Sequence, residues 1–568
     1  MRRAGLLAVT LAAAALALPA AAWAHAALLH TVPSASGTVN VAPAQVSLTY
    51  SEPIAPRFAI VSVTDATGRQ VTSGAPASAP GAPQTLLTPL EHLPEGWYLV
   101  FWRVISADGH PVRGAFTFAV GPNPGPPPQF RVPSLSETAT TTRLLVSRWL
   151  MFLTVLSALG LFVLRTLIAR PVVQRVRECS LRALTIAFAA AIAAALVAVP
   201  VYILLTTAQF TLRNWWDLGN IVPAARDSGF GRDYLDLELV LALFAISAGT
   251  ALYLDRPERE QRSVSELLAL PAALAAAVSV LLLPALAGHA GQKSPRGLSL
   301  PLDAAHLAAA AIWLGGLIGL VVFWLSVGRL GRAAALAYVV PRFSAVAFCS
   351  VLLLIGTGIG QALLEIPTFS SLWQTSYGKA LLWKIGLLAA ALLLAGVNLA
   401  RTKPRLQAHD ASAPLLLRRL VQGEVVFLTA ALFAAAVLSS LAPPSSALAK
   451  IQNVAAHVGP GSVSTVVTKS PYRVHVQVTP NRAAVSNAFS VSVTRGGKPV
   501  QGATVISKFA MLDMEMGEQS YQLREVRPGV FSKSAPALVM VGHWGLRFEV
   551  TPPGGEPFVV TLVDKAGG

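Results

Sequence analysis

Eight apolar segments, at roughly 144–168, 181–206, 235–254, 266–287, 302–326, 342–364, 379–400 and 419–441, constrain this chain more than any other feature. A run of about 20 apolar residues that leaves water must satisfy its backbone polar groups within itself, so each segment predicts a membrane-crossing helix. Only 12% of the residues are charged, against about 25% in an average soluble protein. The basic residues gather in alternate loops: Arg170, Arg175, Arg177 and Arg182; Arg256, Arg259 and Arg262; Arg329, Arg332 and Arg342; then Arg401, Lys403, Arg405, Arg418 and Arg419. That asymmetry puts those loops in the cytoplasm and accounts for the net charge of +17 without nucleic-acid binding. The expected fold is a polytopic α-helical membrane protein with eight transmembrane helices.

Ahead of the helices, Met1-Arg2-Arg3, the apolar run Leu6 to Leu18 and Ala22-Trp23-Ala24 have the three parts of a secretory signal peptide, residues 1–24. Cleavage leaves His25 as the new N-terminus, outside the cytoplasm. Eight crossings from there return the chain to the same side, in agreement with the loop charges. Residues 25–120 carry short β-type runs such as Val46 to Tyr50 and Trp97 to Trp102, separated by Pro and Gly, and predict a small β-sandwich or barrel. A Pro-rich linker, 121–142, leads to the membrane domain, 143–442; a second linker, 443–469, leads to a C-terminal β domain, 470–568, expected as an Ig-like β-sandwich. The two cysteines, Cys179 and Cys349, fall in the membrane part, so neither β domain holds a disulfide and no thiolate metal cluster forms.

An N-terminal His offers its α-amine and imidazole Nδ1 to one metal ion, and the amine loses its proton far more easily than a lysine. Asp108-Gly109-His110 follows the strand-like run Leu99 to Ile105 and aims a carboxylate and an imidazole from alternate positions. Amine, two imidazoles and a carboxylate suit Cu(II), with Zn(II) as the competitor; no Met or Cys lies between His25 and Thr140 to favour Cu(I). Taken alone, Asp-Gly-His-Pro reads more readily as a hairpin turn, and the His at the cleavage point shifts the weight toward a metal site.

His25-Ala-Ala-Leu-Leu-His-Thr-Val-Pro33, Leu48-Thr-Tyr-Ser-Glu-Pro53 and Trp102 through Asp108-Gly-His110-Pro-Val-Arg-Gly-Ala-Phe-Thr-Phe118 resemble the periplasmic copper-binding family CopC. The resemblance implies a cupredoxin-like β-barrel with a Cu(II) site at His25, Asp108 and His110. The Met-rich Cu(I) site of some relatives has no counterpart here, and His30 and His92 are expected as surface residues.

In the membrane block, ionisable groups are costly and default to functional candidates. His289 lies at the outer end of the fourth segment, and Asp303 and His306 open the fifth on one helix face; with Asp236, Glu238 and Glu365 at similar depth they would attract a divalent metal. Met151, deeper in the first segment, is either a thioether ligand or packing filler. Asp303-Ala-Ala-His306, Trp313-Leu-Gly-Gly316, Thr375 through Lys384, Asn398 and Leu420-Val-Gln-Gly-Glu424 resemble the CopD family of copper-resistance membrane proteins, which implies copper import across the inner membrane. Tyr377, Lys379 and Lys384 suit packing or interface roles, since ammonium groups repel a cation, and Glu424 is expected to pair with Arg418 or Lys384.

Near the C-terminus, Met511, Met514 and Met516 form a thioether cluster that, with His475 or His543, suits Cu(I); core filling is the alternative. Lys508 to Val550 resembles the YtkA-like domains. The combined expectation is a copper-binding and copper-transporting protein of the bacterial inner membrane, not an enzyme, with both β domains on the periplasmic side. Its expected partners are copper ions, the lipid bilayer and other periplasmic copper proteins. The alternatives are sequestration without transport and, less favoured, a haem oxidoreductase, since His289 and His306 lie on one side of the membrane. No Gly-x-x-x-x-Gly-Lys-Ser/Thr motif is present, so uptake would draw on a gradient or on tight binding inside.

Overall fold

The computed structural model describes residues 26–567 apart from 27, 35–36, 106–110, 126–127, 129–140, 177–178, 260, 289–295, 409–411, 442–443, 445–447, 449–450, 452–453, 484, 514–517 and 540. In the N-terminal domain, strand order β1-β3-β6-β5 makes one sheet from Leu28–Val32, Gln45–Tyr50, Ala82–Pro89 and Ala77–Ala79. The other sheet, β2-β8-β7-β4, contains Thr38–Val39, Pro111–Val120, Gly96–Ile105 and Ile60–Asp65. Period-two alternation sends Val46, Leu48 and Tyr50 inward from β3, and Val100, Trp102 and Val104 inward from β7. Trp102 is fully buried, edge-on to Tyr50 at 5.6 Å. Its cross-strand partner is Gly114, where a Cβ would come within 2.7 Å of the indole, so this position has no room for any other residue.

Eight helices among the described residues are long and apolar enough to cross a membrane: Thr142–Val172, Arg182–Thr211, Gly229–Leu254, Val264–Ala287, Gly297–Ser326, Gly331–Glu365, Ser376–Gln407 and Ala413–Leu438. They correspond one for one to the predicted segments but run further at several ends. Helical hydrogen bonding continues past the apolar stretch where arginines lay their guanidiniums on aromatic rings. Arg342, at the predicted start of the sixth segment, lies inside that helix over Tyr338, 3.6 Å from the ring centre. The first and fifth helices meet at a glycine seam, since a Cβ on Gly315 would stand 2.6 Å from the Gly160 Cα. A π-helical turn, Leu164–Ala169, lies near the end of the first helix, and another, Asn398–Thr402, interrupts the seventh before its last α-helical turn, Lys403–Gln407.

An ion cluster unforeseen from sequence joins the end of the first helix to the loop after the third. Asp255, 6% exposed, accepts from Arg170 Nε at 2.7 Å and from Arg165 Nη1. Arg170 also donates to the carbonyls of Arg256 and Arg259, and Arg262 donates to the Thr166 carbonyl at 2.6 Å. Ser263 and Glu266 close a capping box on the fourth helix beside it.

The C-terminal domain is a sheet ordered β10-β11-β12-β16-β15-β14-β17-β18-β9, with β13 (Lys498–Pro499) paired to β12. Its strands are β9 Val454–Val458, β10 Val463–Lys469, β11 Tyr472–Thr479, β12 Asn487–Arg495, β14 Thr504–Met511, β15 Gln519–Arg527, β16 Val530–Ala535, β17 Gly542–Thr551 and β18 Phe558–Ala566. The strands begin at Val454, inside the stretch read from sequence as linker, because β9 pairs in parallel with β18 at the far end of the chain, a partner local patterning does not reveal. Phe489, Phe509, Trp544 and Phe548 fill the core.

The two β domains touch. Strand β2 covers only Ala119 and Val120 of β8, and beyond it Ala115 N–H donates to the Val539 carbonyl at 3.3 Å. Leu99 and Ala115 of the first domain form an apolar cluster with Ala483 of the second, and Phe101 and Val541 pack against it.

Candidate metal sites

His25, Asp108, His110, His289, Met514 and Met516 lie outside the described residues. Strands β7 and β8 pair as far as Ile105 and Pro111, and Asp108 and His110 belong to the five residues that join them.

At the start of the fifth membrane helix the structure brings predicted residues together with partners from the sixth. His306 Nδ1 lies 3.0 Å from Thr357 Oγ1. The Thr357 hydroxyl donates to the Leu353 carbonyl at 2.7 Å, so Oγ1 accepts and Nδ1 carries the hydrogen, and the Leu354 carbonyl, which can only accept, also hydrogen-bonds the ring. The ring is thereby fixed in the tautomer that leaves Nε2 with a free lone pair, the form a metal takes. Gly358 flanks the ring, and a Cβ there would approach Cε1 at 3.4 Å. One turn away, Asp303 Oδ1 accepts from Gln361 Nε2 at 3.0 Å. The Lys384 ammonium from the seventh helix acts electrostatically on His306, and Asp303 and Glu365 act on Lys384 in turn. Lys384 is therefore part of this polar group, beyond the packing or interface role its type suggested. Asp236 is exposed and Glu238 half-buried in the third helix.

Met151 is 1% exposed, one turn from buried Arg148, whose guanidinium donates to Tyr202 Oη at 3.0 Å and to Ser439 and Ser440 at 3.1 and 2.9 Å. A fixed positive charge one turn away opposes a cation, and Met151 packs as a core residue. Glu424 pairs with neither Arg418 nor Lys384. Its Oε1 accepts from Asn398 Nδ2, and the Trp313 side chain also hydrogen-bonds it, while Arg418 lies over the Trp324 ring at 4.6 Å.

In the C-terminal domain, Met511 is 3% exposed in the core, opposite Trp544. His543 Nδ1 lies 2.9 Å from Asp513 Oδ2, which also accepts from the His543 backbone N–H at 2.6 Å. This carboxylate clamp orients the imidazole as it does in metal-binding histidines. His475 lies apart: it is on β11, several strands from β17 in either direction around the sheet, bonded through Nε2 to Ser464 at 2.8 Å. Its neighbours Val474 and Val476 take the core face, so the imidazole faces outward. Beside His543, burial pushes the Asp564 carboxyl up to about 6, against the lowering effect of Asn481 Nδ2 at 2.8 Å.

Residues 28–121 match the family model of the CopC domain. Copper resistance protein C of Pseudomonas syringae pv. tomato is 37% identical over 118 residues, 20% of this chain and 93% of that protein. The chain belongs to the CopC family. Beyond its CopC domain, residues 337–438 match Copper resistance protein D and residues 467–549 match the YtkA-like model, in the order expected from sequence. Copper transport protein CutJ of Bacillus subtilis (strain 168) is similar over nearly the whole length, 25% identical across 547 residues, 93% of this chain and 94% of that protein. The crystal structure of CopC from Methylosinus trichosporium OB3b is 31% identical, covering 18% of this chain and 99% of that one, with a TM-score of 0.17. This CopC-family chain, with its CopD and YtkA-like parts and eight membrane-capable helices, is a copper-handling membrane protein.

Proposed function

We propose that this chain binds copper outside the cytoplasm and moves it inward across the bacterial inner membrane. Cu(II) is captured by the α-amine and imidazole of His25 with Asp108 and His110, the positions that match the CopC motif. It passes to the outer mouth of the helical block at His289, Asp303 and His306. The observation that carries the reading is His306: Thr357 holds Nδ1 and leaves Nε2 free, a turn from the Asp303 carboxylate. With Met511 in the core and His475 strands away, the Cu(I) donor set of the C-terminal domain narrows to His543, Met514 and Met516. Residence of both β domains on one side is supported by the even number of helices and by the Ala115–Val539 hydrogen bond.

Sequestration without transport is the second reading, and Lys384 favours it, because positive charge on its side chain acts unfavourably on a cation at His306. The test is a time course of cytoplasmic copper at fixed low external copper in cells making the intact protein, a His25 variant or His306→Gln. A rise that both variants lose supports import; no rise, with copper bound outside, supports sequestration.

A further inference from the structure

Glu424 is 2% exposed near the middle of the eighth membrane helix, and among the described residues it makes no ion pair. Its partners are neutral: the Asn398 amide from the seventh helix and Trp313 from the fifth, itself 2% exposed. Several charged groups of the surrounding helices are engaged elsewhere, while Arg401 and Arg405 of the seventh and Arg419 of the eighth are exposed and Lys403 is half-buried. Arg148 of the first lies on Tyr202, Ser439 and Ser440, Asp303 of the fifth on Gln361, and Lys384 of the seventh with Asp303 and Glu365. Arg342 of the sixth and Arg418 of the eighth lie over aromatic rings, and His306 is on Thr357.

A carboxyl inside a bilayer without a counter-charge is expensive to ionise, so such groups mark ion or proton paths. Two further polar atoms on the same π-helical turn are buried without a hydrogen-bond partner among the described residues, Asn398 Oδ1 and Thr402 Oγ1, and Thr402 is fully buried. The amide suits both protonation states: its NH2 donates to a carboxylate, and after a half-turn its oxygen accepts from a carboxylic acid. A π-helical turn frees backbone bonding and recurs at functional sites.

We propose that Glu424 is the proton-carrying group that couples copper movement to the proton gradient, with Asn398 as its positioning residue. The inference rests on the import reading above. One proton taken from outside binds a Glu424 oxygen, the Asn398 amide turns to accept from it, and the proton leaves to the cytoplasm as copper moves inward; nothing is oxidised or reduced.

The test uses the full chain in proteoliposomes with the membrane potential clamped, copper uptake measured with and without a pH gradient, and lumen pH followed by a trapped dye. With the lumen one unit more alkaline, the intact protein accumulates copper about tenfold further per coupled proton, and added copper acidifies the lumen. Glu424→Gln keeps the hydrogen bond to Asn398 and loses both effects while still equilibrating copper downhill. Asn398→Leu keeps the carboxyl and moves the pH of half-maximal uptake, which a merely structural contact would not. Undiminished gradient stimulation in Glu424→Gln overturns the proposal, as does gradient-independent uptake by the intact protein. No copper flux at all in the intact protein overturns the import reading itself.

Discussion

At His306 the chemistry turns on where one proton sits. Because the Thr357 hydroxyl donates to the Leu353 carbonyl, it accepts from Nδ1, and Nε2 is left open. Thr357→Val removes that acceptor while keeping the side-chain shape. If the chain imports copper through His306 as proposed, copper uptake should fall by roughly 10- to 100-fold, the usual cost of losing such a partner, with copper binding by the N-terminal domain unchanged in equilibrium titration. At Asp564 burial raises the carboxyl to about 6, above its unfolded value of 3.8. The folded state then binds the extra proton between those values, so the contribution of Asp564 to stability is present at low pH and lost as pH rises through about 6. Urea unfolding of the C-terminal domain between pH 4 and 7 should show that decline, and Asp564→Asn should flatten it.

At the scale of elements, two devices hold helices and strands in place. The Asp255 carboxylate stands between Arg165 and Arg170, all three nearly without solvent contact. Asp255→Leu leaves two guanidiniums without their counter-charge and is expected to cost about 3–5 kcal/mol, read as a lower thermal midpoint in detergent. In the N-terminal domain, Gly114→Val drives a side chain into the Trp102 indole. Overpacking of this kind costs roughly 1–3 kcal/mol, seen as an earlier unfolding transition of that domain.

For the whole molecule, the contact between the two ends of the chain is the feature most remote from sequence order. Ala115 sits on a strand edge that β2 leaves uncovered, and an uncovered edge invites another strand or segment. Removing residues 449–568 should speed hydrogen exchange at the Ala115 amide while the interior amides of β7 keep their protection. Val541→Asp, which puts a charge against Leu99 and Phe101, should do the same without a truncation. The contact also accounts for an apolar outer face on the first domain, where Leu99 is 3% exposed although it alternates with the core residues of β7.

The eight membrane helices and the CopC, CopD and YtkA-like order were legible in the chain itself, because hydropathy over about 20 residues and period-two alternation are local properties. His306 and Asp303 stood out for the same reason, as ionisable groups in an apolar run. Their partners did not: Thr357, Gln361 and Lys384 come from other helices, and a threonine or glutamine in a membrane segment carries no signal of what it faces. Glu424 shows the difference most plainly. Its type and its place in an apolar helix marked it from sequence, yet a charge partner was expected and a neutral amide from the seventh helix took its place. Asp255 gave no signal beyond lying next to a basic loop, since its arginines are 85 and 90 residues away. Local composition thus determined what each segment is. Which buried charge meets a counter-charge and which meets an amide was decided by the packing of helices distant in sequence, because desolvation of a charged group depends on every neighbour within a few ångströms and not on its place in the chain.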